Sequence, residues 1–236
     1  MKLLIQFPTY NRPDKFLRVL RAYVESASIH NDLFININCD ASDLSMTNTD
    51  MQVAIQSILD IKENIQGVVN YDDDTDKISA INDHIDGKDF DIVICASDDM
   101  VPKIYSWDQE IVTAMRENFP ELDGCVHFND GNTDGKLITF SILGKRLYDE
   151  LGYIYHPDYK SLYCDDEFTQ VVRSMGKEKY IDKIIITHEH YSIEGTENHG
   201  DLDLAARKTL HYSGRDQLVF NKRKELGFPT ARITND

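Results

Sequence analysis

The amino-acid sequence predicts an α/β fold in which a mostly parallel, twisted sheet is flanked by helices. Short apolar runs alternate along the chain with segments whose apolar residues recur at helical spacing, which is typical of this fold class. The length of 236 residues suits one such domain. Hydrophobic residues make up 41% of the chain, which is enough to form a core and excludes wholesale disorder.

The first half of the chain predicts four strands that alternate with three helices. One helix begins at Pro13, because proline suits the first helical position. Two more surround Ile55 and Ile81, where isoleucines recur at core spacing. The expected strands are residues 3–7, 33–38, 68–69 and 90–95.

The second half predicts a less regular alternation that ends in a helical tail. Ser106 and Gln109 have the spacing of a capping box for a helix that runs through Met115. The other expected elements are strands at residues 125–128, 137–143 and 180–187, and helices at residues 145–151 and 165–175.

The acidic composition of the chain argues against nucleic-acid binding. The formal net charge is −16 and the pI is near 4.8, whereas binding to a phosphate backbone needs a basic face. The tail from residue 201 onward differs, because it holds seven Lys and Arg against five Asp and Glu. We expect this tail to dock on the acidic body or, alternatively, to close over an anionic ligand together with the loop at residues 194–200.

Cysteine usage and hydropathy predict a cytoplasmic protein with reduced thiols and no integral membrane segment. The four cysteines lie far apart without a C-x-x-C pair, which argues against a zinc knuckle and a dense disulfide framework. No apolar run approaches the roughly 20 residues that span a bilayer. The first apolar run is too short for a signal peptide.

The strongest local signal is the end of the fourth predicted strand, which runs directly into Asp98 and Asp99. Carboxylates at the C-terminal end of a central strand lie in the crevice where α/β sheets bind ligands. A divalent cation in that crevice can bridge a protein carboxylate to a diphosphate. The alternative is that both residues only cap the following turn. No P-loop or Rossmann glycine motif occurs elsewhere in the chain.

Five short motifs follow one another along the chain. They are FPTYNRP at residues 7–13, NCDAS at 38–42, KISAIN at 77–82, SDD at 97–99 and CDDEF at 164–168. In this order and spacing the chain resembles the family-2 glycosyltransferases of the GT-A fold, with SDD at the position of their D-x-D motif and CDDEF at that of their E-D motif. The resemblance covers residues 1 to about 190, roughly four-fifths of the chain.

The resemblance implies a role for each matching residue. It assigns binding of the nucleotide-sugar donor to Pro8, Thr9, Tyr10, Arg12, Asp40, Lys77, Asn82 and Asp98. Asp99, with help from Asp98, would bind Mn²⁺ or Mg²⁺. Asp166, or alternatively Asp165, would be the base that deprotonates the acceptor hydroxyl.

Two histidines close to the end of the last predicted strand are further candidate metal ligands. His188 or His190 could supply an imidazole to a metal opposite Asp99. The alternative is that both are ordinary surface side chains. Their spacing does not match H-E-x-x-H, which argues against a zinc protease.

The function implied by the resemblance is metal-dependent transfer of a sugar from a nucleoside-diphosphate sugar to an acceptor hydroxyl, with a UDP-sugar as the expected donor and inversion as the expected outcome. Residues 1–105 would form the nucleotide-sugar-binding half of the domain, residues 106–200 its acceptor and catalytic half, and residues 201–236 the helical tail. The acceptor stays open among a glycan, a lipid-linked glycan, a protein and a hydroxylated DNA base, the last disfavoured by the net acidity.

Two other functions stay open at this point. A nucleotidyltransferase uses a related sheet and metal, but normally has a glycine-rich and basic N-terminal loop, and residues 8–12 contain no glycine. A non-catalytic nucleotide-sugar-binding protein would keep the fold without turnover. The presence of Asp99, Asp166 and a nearby histidine argues against this second alternative.

Overall fold

The computed structural model describes residues 1–73, 75–189 and 203–230. Within these ranges the strands are β1 (Lys2–Thr9), β2 (Asp32–Asp40), β3 (Ile65–Asp72), β4 (Ile92–Cys95), β5 (Met100–Pro102), β6 (Cys125–Phe128), β7 (Ile142–Gly144), β8 (Glu178–Ile181) and β9 (Ile186–His188). The helices are α1 (Pro13–Ser26), α2 (Thr49–Leu59), α3 (Lys77–Asn82), α4 (Trp107–Asn118), α5 (Lys145–Leu151), α6 (Cys164–Ser174), α7 (Leu204–His211) and α8 (Ser213–Glu225).

A seven-stranded sheet forms the centre of the molecule, in the order β3-β2-β1-β4-β7-β6-β8. The strands β3, β2, β1 and β4 are parallel to one another, and β6 is parallel to β8. Strand β7 is antiparallel to both of its neighbours. The predicted fold class, a mostly parallel sheet flanked by helices and followed by a helical tail, is therefore confirmed.

Apolar side chains cover both faces of the sheet, because successive side chains of a strand point to opposite faces. Along β1, Leu3, Ile5 and Phe7 belong to one apolar cluster, which includes residues of α1, α2 and α4. Leu4 belongs to a second cluster, with residues of α3, α5 and α6. Burial on both faces explains why the residues of β1 from Leu3 to Pro8 are apolar except for Gln6, instead of alternating with polar ones.

Three details differ from the sequence-based expectations. The single strand predicted at residues 180–187 is two strands, β8 and β9, which belong to different sheets. Strand β7 covers three residues, fewer than the predicted 137–143. Ser106 does not cap α4 with its side chain, because its φ of 58° is left-handed and its backbone N–H instead donates to the carbonyl of Ser26 at 2.6 Å.

The structure bears on two further expectations, the reduced state of the cysteines and the absence of a membrane-spanning segment. All four cysteines are free and buried, which agrees with the expectation of reduced thiols without a disulfide framework. Among the helices of the described ranges, none is both long enough and apolar enough to cross a membrane.

Helix α8 docks on the body through charged side chains that are fully buried. The Arg223 guanidinium donates to the Glu167 carboxylate through Nε and Nη2, each at 2.8 Å. Asp216 accepts backbone N–H bonds at 2.8 and 3.0 Å from Ser161 and Leu162. Because a buried charge is tolerated only when it is paired and hydrogen-bonded, these contacts fix α8 against the start of α6 and the loop before it.

We expect Arg223→Met to lower the free energy of unfolding by about 3–5 kcal/mol, because it leaves the Glu167 carboxylate buried without its partner. Lys224→Met is the matched control on the same helix, since Lys224 is exposed, and it should change stability by less than about 0.5 kcal/mol. Urea denaturation followed by circular dichroism measures both values. Equal, small effects in the two variants would show that the buried pair does not anchor α8.

Candidate functional site

A cleft of about 200 Å³ opens at the carboxyl ends of β1, β2 and β4. This edge of a parallel sheet is where α/β proteins bind ligands. Most of the residues singled out from the sequence line it: Pro8, Thr9, Tyr10, Arg12, Asp40, Lys77, Asp98, Asp99, Asp165 and His188. The cleft is thus built from segments that are far apart in the chain, which the parallel strands bring to one edge.

The turn between β1 and α1 is tied to the end of β4 by the Asp98 carboxylate. Thr9 Oγ1 donates to Asp98 Oδ2 at 3.1 Å, and Arg12 Nη1 donates to Asp98 Oδ1 at 3.0 Å. Burial raises the pKa of Asp98 despite the opposing charge of Arg12. Both Asp98 oxygens therefore have protein partners, and these bonds hold the turn against the segment that follows β4.

Asp99 faces His188 because of a small second sheet. Strands β5 and β9 pair antiparallel, with Met100 opposite His188, and the Glu189 N–H donates to the Asp99 carbonyl at 2.7 Å. His188 Nε2 therefore lies 3.5 Å from Asp99 Oδ1. Burial works against ionisation, but the neighbouring His188 and Ser97 side chains hold the pKa of Asp99 well below its usual range.

The chemistry of this pair fits part of the ligand set of Mn²⁺ or Mg²⁺. A carboxylate oxygen and an imidazole nitrogen at this separation can share one cation. No group of three or more His, Cys, Asp or Glu that could hold a metal occurs among residues 1–73, 75–189 and 203–230, so phosphate or water would complete the shell, as is usual for Mg²⁺. His190, the other predicted ligand, lies outside the described residues.

Lys77 enters the cleft at the first residue of α3. Asp76 caps this helix by accepting from the backbone N–H of Ile78 and Ser79 at 3.1 and 2.9 Å. The Lys77 ammonium has no hydrogen bond or ion pair with any residue in the described part of the chain. Desolvation in the cleft opposes the charged form of Lys77, but the nearby Asp99 and Asp165 carboxylates make the net shift of its pKa upward. An unpaired ammonium in a cleft is a candidate ligand for an anion.

The first turn of α6 carries the two candidate bases. Asp165 lines the cleft, whereas Asp166 is not part of the lining. Burial and the adjacent Asp165 charge raise the pKa of Asp166. The backbone N–H of Asp166 donates to Asp165 Oδ1 at 3.1 Å. The geometry therefore favours Asp165 as the candidate base, which the sequence analysis gave as the alternative to Asp166.

Helix α7 of the tail lies at the end of the cleft where donor binding was predicted. Lys208 Nζ donates to Asp40 Oδ2 at 2.8 Å and lies 4.3 Å from the centre of the Tyr10 ring. Burial opposes ionisation of Asp40, but the bonds from Lys208 and Ser42 lower its pKa. The Asp40 carboxylate and the Tyr10 ring therefore already have a cationic partner within the chain, the Lys208 ammonium.

Asn82 is the one predicted donor-binding residue that the structure keeps out of the cleft lining. Its amide Nδ2 donates to the Tyr155 carbonyl at 2.6 Å, and its Oδ1 accepts from the Ile154 N–H at 2.9 Å. Asn82 therefore holds the loop after α5 against α3. Both polar atoms of its side chain are bonded to backbone groups. A sequence motif cannot reveal such bonds, because their partners are distant in the chain.

Several lining residues were not singled out from the sequence. Lys160, Tyr155, Lys208 and Tyr212 all line the cleft, and Lys160 forms an ion pair with Asp76. Lys160 and Tyr155 belong to an irregular loop without periodicity, so nothing local marked them. The basic composition of the tail was the only signal that pointed toward Lys208.

No protein-family model and no curated protein sequence matches this chain. Solved structures do match. The mannosyltransferase PcManGT from Pyrobaculum calidifontis, in complex with GDP-Man and Mn²⁺, superposes with a TM-score of 0.61 at 13% identity over 80% of this chain and 56% of its own. TarS from S. aureus superposes with a TM-score of 0.61 at 12% identity over 80% of this chain and 37% of its own.

A third similar structure is TarS 1-349 in complex with UDP-GlcNAc, with a TM-score of 0.56 at 13% identity over 79% of this chain and 57% of its own. This chain therefore spans little more than half, or less, of the structures that it matches. At these identities the comparison bears on architecture alone. The chain has the α/β fold of these glycosyltransferases.

Proposed function

We propose that this chain is a glycosyltransferase of the GT-A type, related to family 2, that moves a sugar from a nucleoside-diphosphate sugar to an acceptor hydroxyl. The proposal rests on the set of side chains that line one cleft. The cleft brings together the Asp99 and His188 pair, the unpaired Lys77 ammonium and the Asp165 carboxylate. These are a candidate cation site, a candidate anion ligand and a candidate base.

The similar structures support a nucleotide-sugar donor. PcManGT is described in complex with GDP-Man and Mn²⁺, and TarS 1-349 in complex with UDP-GlcNAc. In this chain Tyr10 offers an aromatic ring and Asp40 a carboxylate at the same end of the cleft. An aromatic face and an acceptor for ribose hydroxyls suit a nucleoside, so this end of the cleft is assigned to the nucleoside of the donor.

The cation side of the cleft is assigned to the diphosphate. Asp99 and His188 would hold Mn²⁺ or Mg²⁺, which supplies positive charge where negative charge grows on the leaving diphosphate. Lys77 adds an ammonium that lines the same cleft. Asp98 serves this site indirectly, because it holds Thr9 and Arg12 in position.

The base role is assigned to Asp165. The acceptor oxygen forms a bond to the anomeric carbon, the bond from that carbon to the diphosphate oxygen breaks, and the acceptor proton passes to the Asp165 carboxylate. The nucleoside diphosphate leaves with the bonding electrons. A single displacement of this kind inverts the anomeric centre, which agrees with the inverting outcome expected from the sequence.

We expect Asp99→Asn to remove the Mn²⁺ dependence of nucleotide binding, because a neutral amide is a poor ligand for a hard cation. Isothermal titration calorimetry with UDP and with GDP, in Mn²⁺ and in EDTA, measures the effect. Wild-type protein should bind at least about tenfold more tightly with Mn²⁺, and the variant should bind equally in both conditions.

Asp89→Asn is the matched control for Asp99→Asn, since the Asp89 side chain is 81% exposed and lies outside the cleft lining. It should keep the affinity and the Mn²⁺ dependence of the wild type. Retention of both properties in Asp99→Asn as well would exclude Asp99 as the metal ligand.

We expect Asp165→Asn to lower turnover by about 10²-fold or more, the usual contribution of a general base, while nucleotide binding persists. Release of UDP from UDP-GlcNAc and of GDP from GDP-Man, in the presence of Mn²⁺, measures turnover with water as the acceptor. Asp166→Asn is the matched control and should stay near the wild-type rate.

The opposite pattern, with a loss in Asp166→Asn and none in Asp165→Asn, would return the base role to Asp166. A wild-type protein that binds the nucleotides with Mn²⁺ but releases none from any donor would favour the non-catalytic alternative. Release of pyrophosphate from a nucleoside triphosphate would favour a nucleotidyltransferase.

A further inference from the structure

Helix α7 occupies the nucleoside end of the cleft with its own side chains. Ala205, Ala206, Lys208 and Thr209 of this helix line the cleft. Three of these side chains are small, so the long Lys208 side chain is the one that reaches across to the opposite wall. The contacts of Lys208 therefore decide what a ligand meets at this end.

The Lys208 ammonium is bound by three groups of the cleft wall. It donates to Asp40 Oδ2 at 2.8 Å and to the Thr75 carbonyl at 3.0 Å. It also lies 4.3 Å from the Tyr10 ring centre, within the range of a cation–π contact. Asp40 and Tyr10 are the residues assigned above to the donor nucleoside. A nucleoside and the Lys208 ammonium cannot use the same carboxylate and ring face together.

The start of α7 makes a second contact of the same kind. Asp203 accepts from Arg12 Nε at 2.6 Å and from Arg12 Nη2 at 2.9 Å, a bidentate pair. The other Asp203 function is to cap α7, since Asp203 Oδ1 accepts from the Ala206 N–H at 2.8 Å. Arg12 was also predicted to bind the donor, and two of its N–H groups are bonded to Asp203 at the start of α7.

Helices α7 and α8 differ in how they are attached. The α8 side chains Arg223 and Asp216 are fully buried in the body. Helix α7 buries Ala206 alone among its apolar side chains, while Leu204 and Leu210 are 52% and 36% exposed. Little apolar surface would be lost if α7 left the cleft, because its attachment consists mainly of partly exposed polar contacts.

We infer that α7 is an intramolecular competitor of the donor, with Lys208 filling the place of the nucleoside between Asp40 and Tyr10. Donor binding then displaces α7 from the cleft while α8 stays docked, and the chain pivots at Tyr212 between the two helices. This inference rests on the proposed function, since it takes a nucleoside diphosphate as the competing ligand.

Competition by α7 should lower the apparent affinity for the nucleotide by a measurable factor. The apparent affinity of a ligand equals its intrinsic affinity multiplied by the fraction of molecules that are open to it. One partly exposed ion pair together with one cation–π contact would reduce that fraction by about tenfold. Removal of the Lys208 ammonium should restore it.

Lys208→Met tests the inference, because methionine keeps an unbranched side chain without the charge. Isothermal titration calorimetry with UDP and with GDP, each with Mn²⁺, should give about tenfold tighter binding than for the wild type. Lys224→Met is the control, since it removes the same charge from the tail, Lys224 is exposed and it lies outside the cleft lining. The control should bind as the wild type does.

Hydrogen exchange of the wild-type protein supplies a readout that needs no variant. Addition of UDP and Mn²⁺ should speed amide exchange in residues 204–211 and leave residues 213–225 protected. Slower exchange in α7 upon nucleotide binding would overturn the inference, because α7 would then close on the nucleotide instead of leaving. Weaker or unchanged nucleotide binding by Lys208→Met would overturn it too, and would make Lys208 a donor ligand or a bystander.

The two proposals fail in different ways. If neither the wild type nor Lys208→Met binds UDP or GDP with Mn²⁺, the proposed function is wrong and the competition falls with it. If both bind with the same affinity, the proposed function stands and the competition alone is wrong.

Discussion

The cleft depends on how one buried carboxylate is neutralised. Asp98 lies in the turn that follows β4 and is only 5% exposed, and a lone charge there would be too costly to bury. Thr9 and Arg12 satisfy it, and so the first βα turn is fixed to the fourth strand. The next residue, Asp99, belongs to the same turn, which a bond from the Met100 N–H to the Ser97 carbonyl closes at 3.1 Å, and its carboxylate faces His188.

Much of this arrangement could be predicted from the sequence, because it follows local rules. The strands β1, β2 and β4 are mainly apolar, with only Gln6, Asn36 and Asn38 interrupting their cores. Polar residues follow them, so the edge of the sheet that carries the cleft was evident. Helix α5 begins and ends where its periodicity indicated. The one-strand interpretation of residues 180–187 was wrong, because a run of β-branched residues does not reveal that the chain changes sheets between Ile181 and Ile186.

Long-range pairings could not be predicted in the same way. Lys208 and Asp40 are 168 residues apart, and Arg223 and Glu167 are joined by a fold that places α8 beside α6. Asn82 looked like a ligand residue from its motif, yet backbone groups of a distant loop use its amide. In each case tertiary packing determines the partner, and the neighbouring sequence of the residue does not indicate which partner it has.

The distribution of charge has a consequence for how quickly an anion reaches the cleft. The chain as a whole carries −16, and the cleft lining itself holds five Asp against four Lys and Arg. An approaching anion is therefore repelled by the net field until it comes close to an individual cation such as the Lys77 ammonium. Salt at physiological strength screens interactions beyond about 8 Å, so it removes the repulsion and spares the short-range attraction. Encounter with an anionic ligand should therefore accelerate with moderate ionic strength, the reverse of ordinary electrostatic steering.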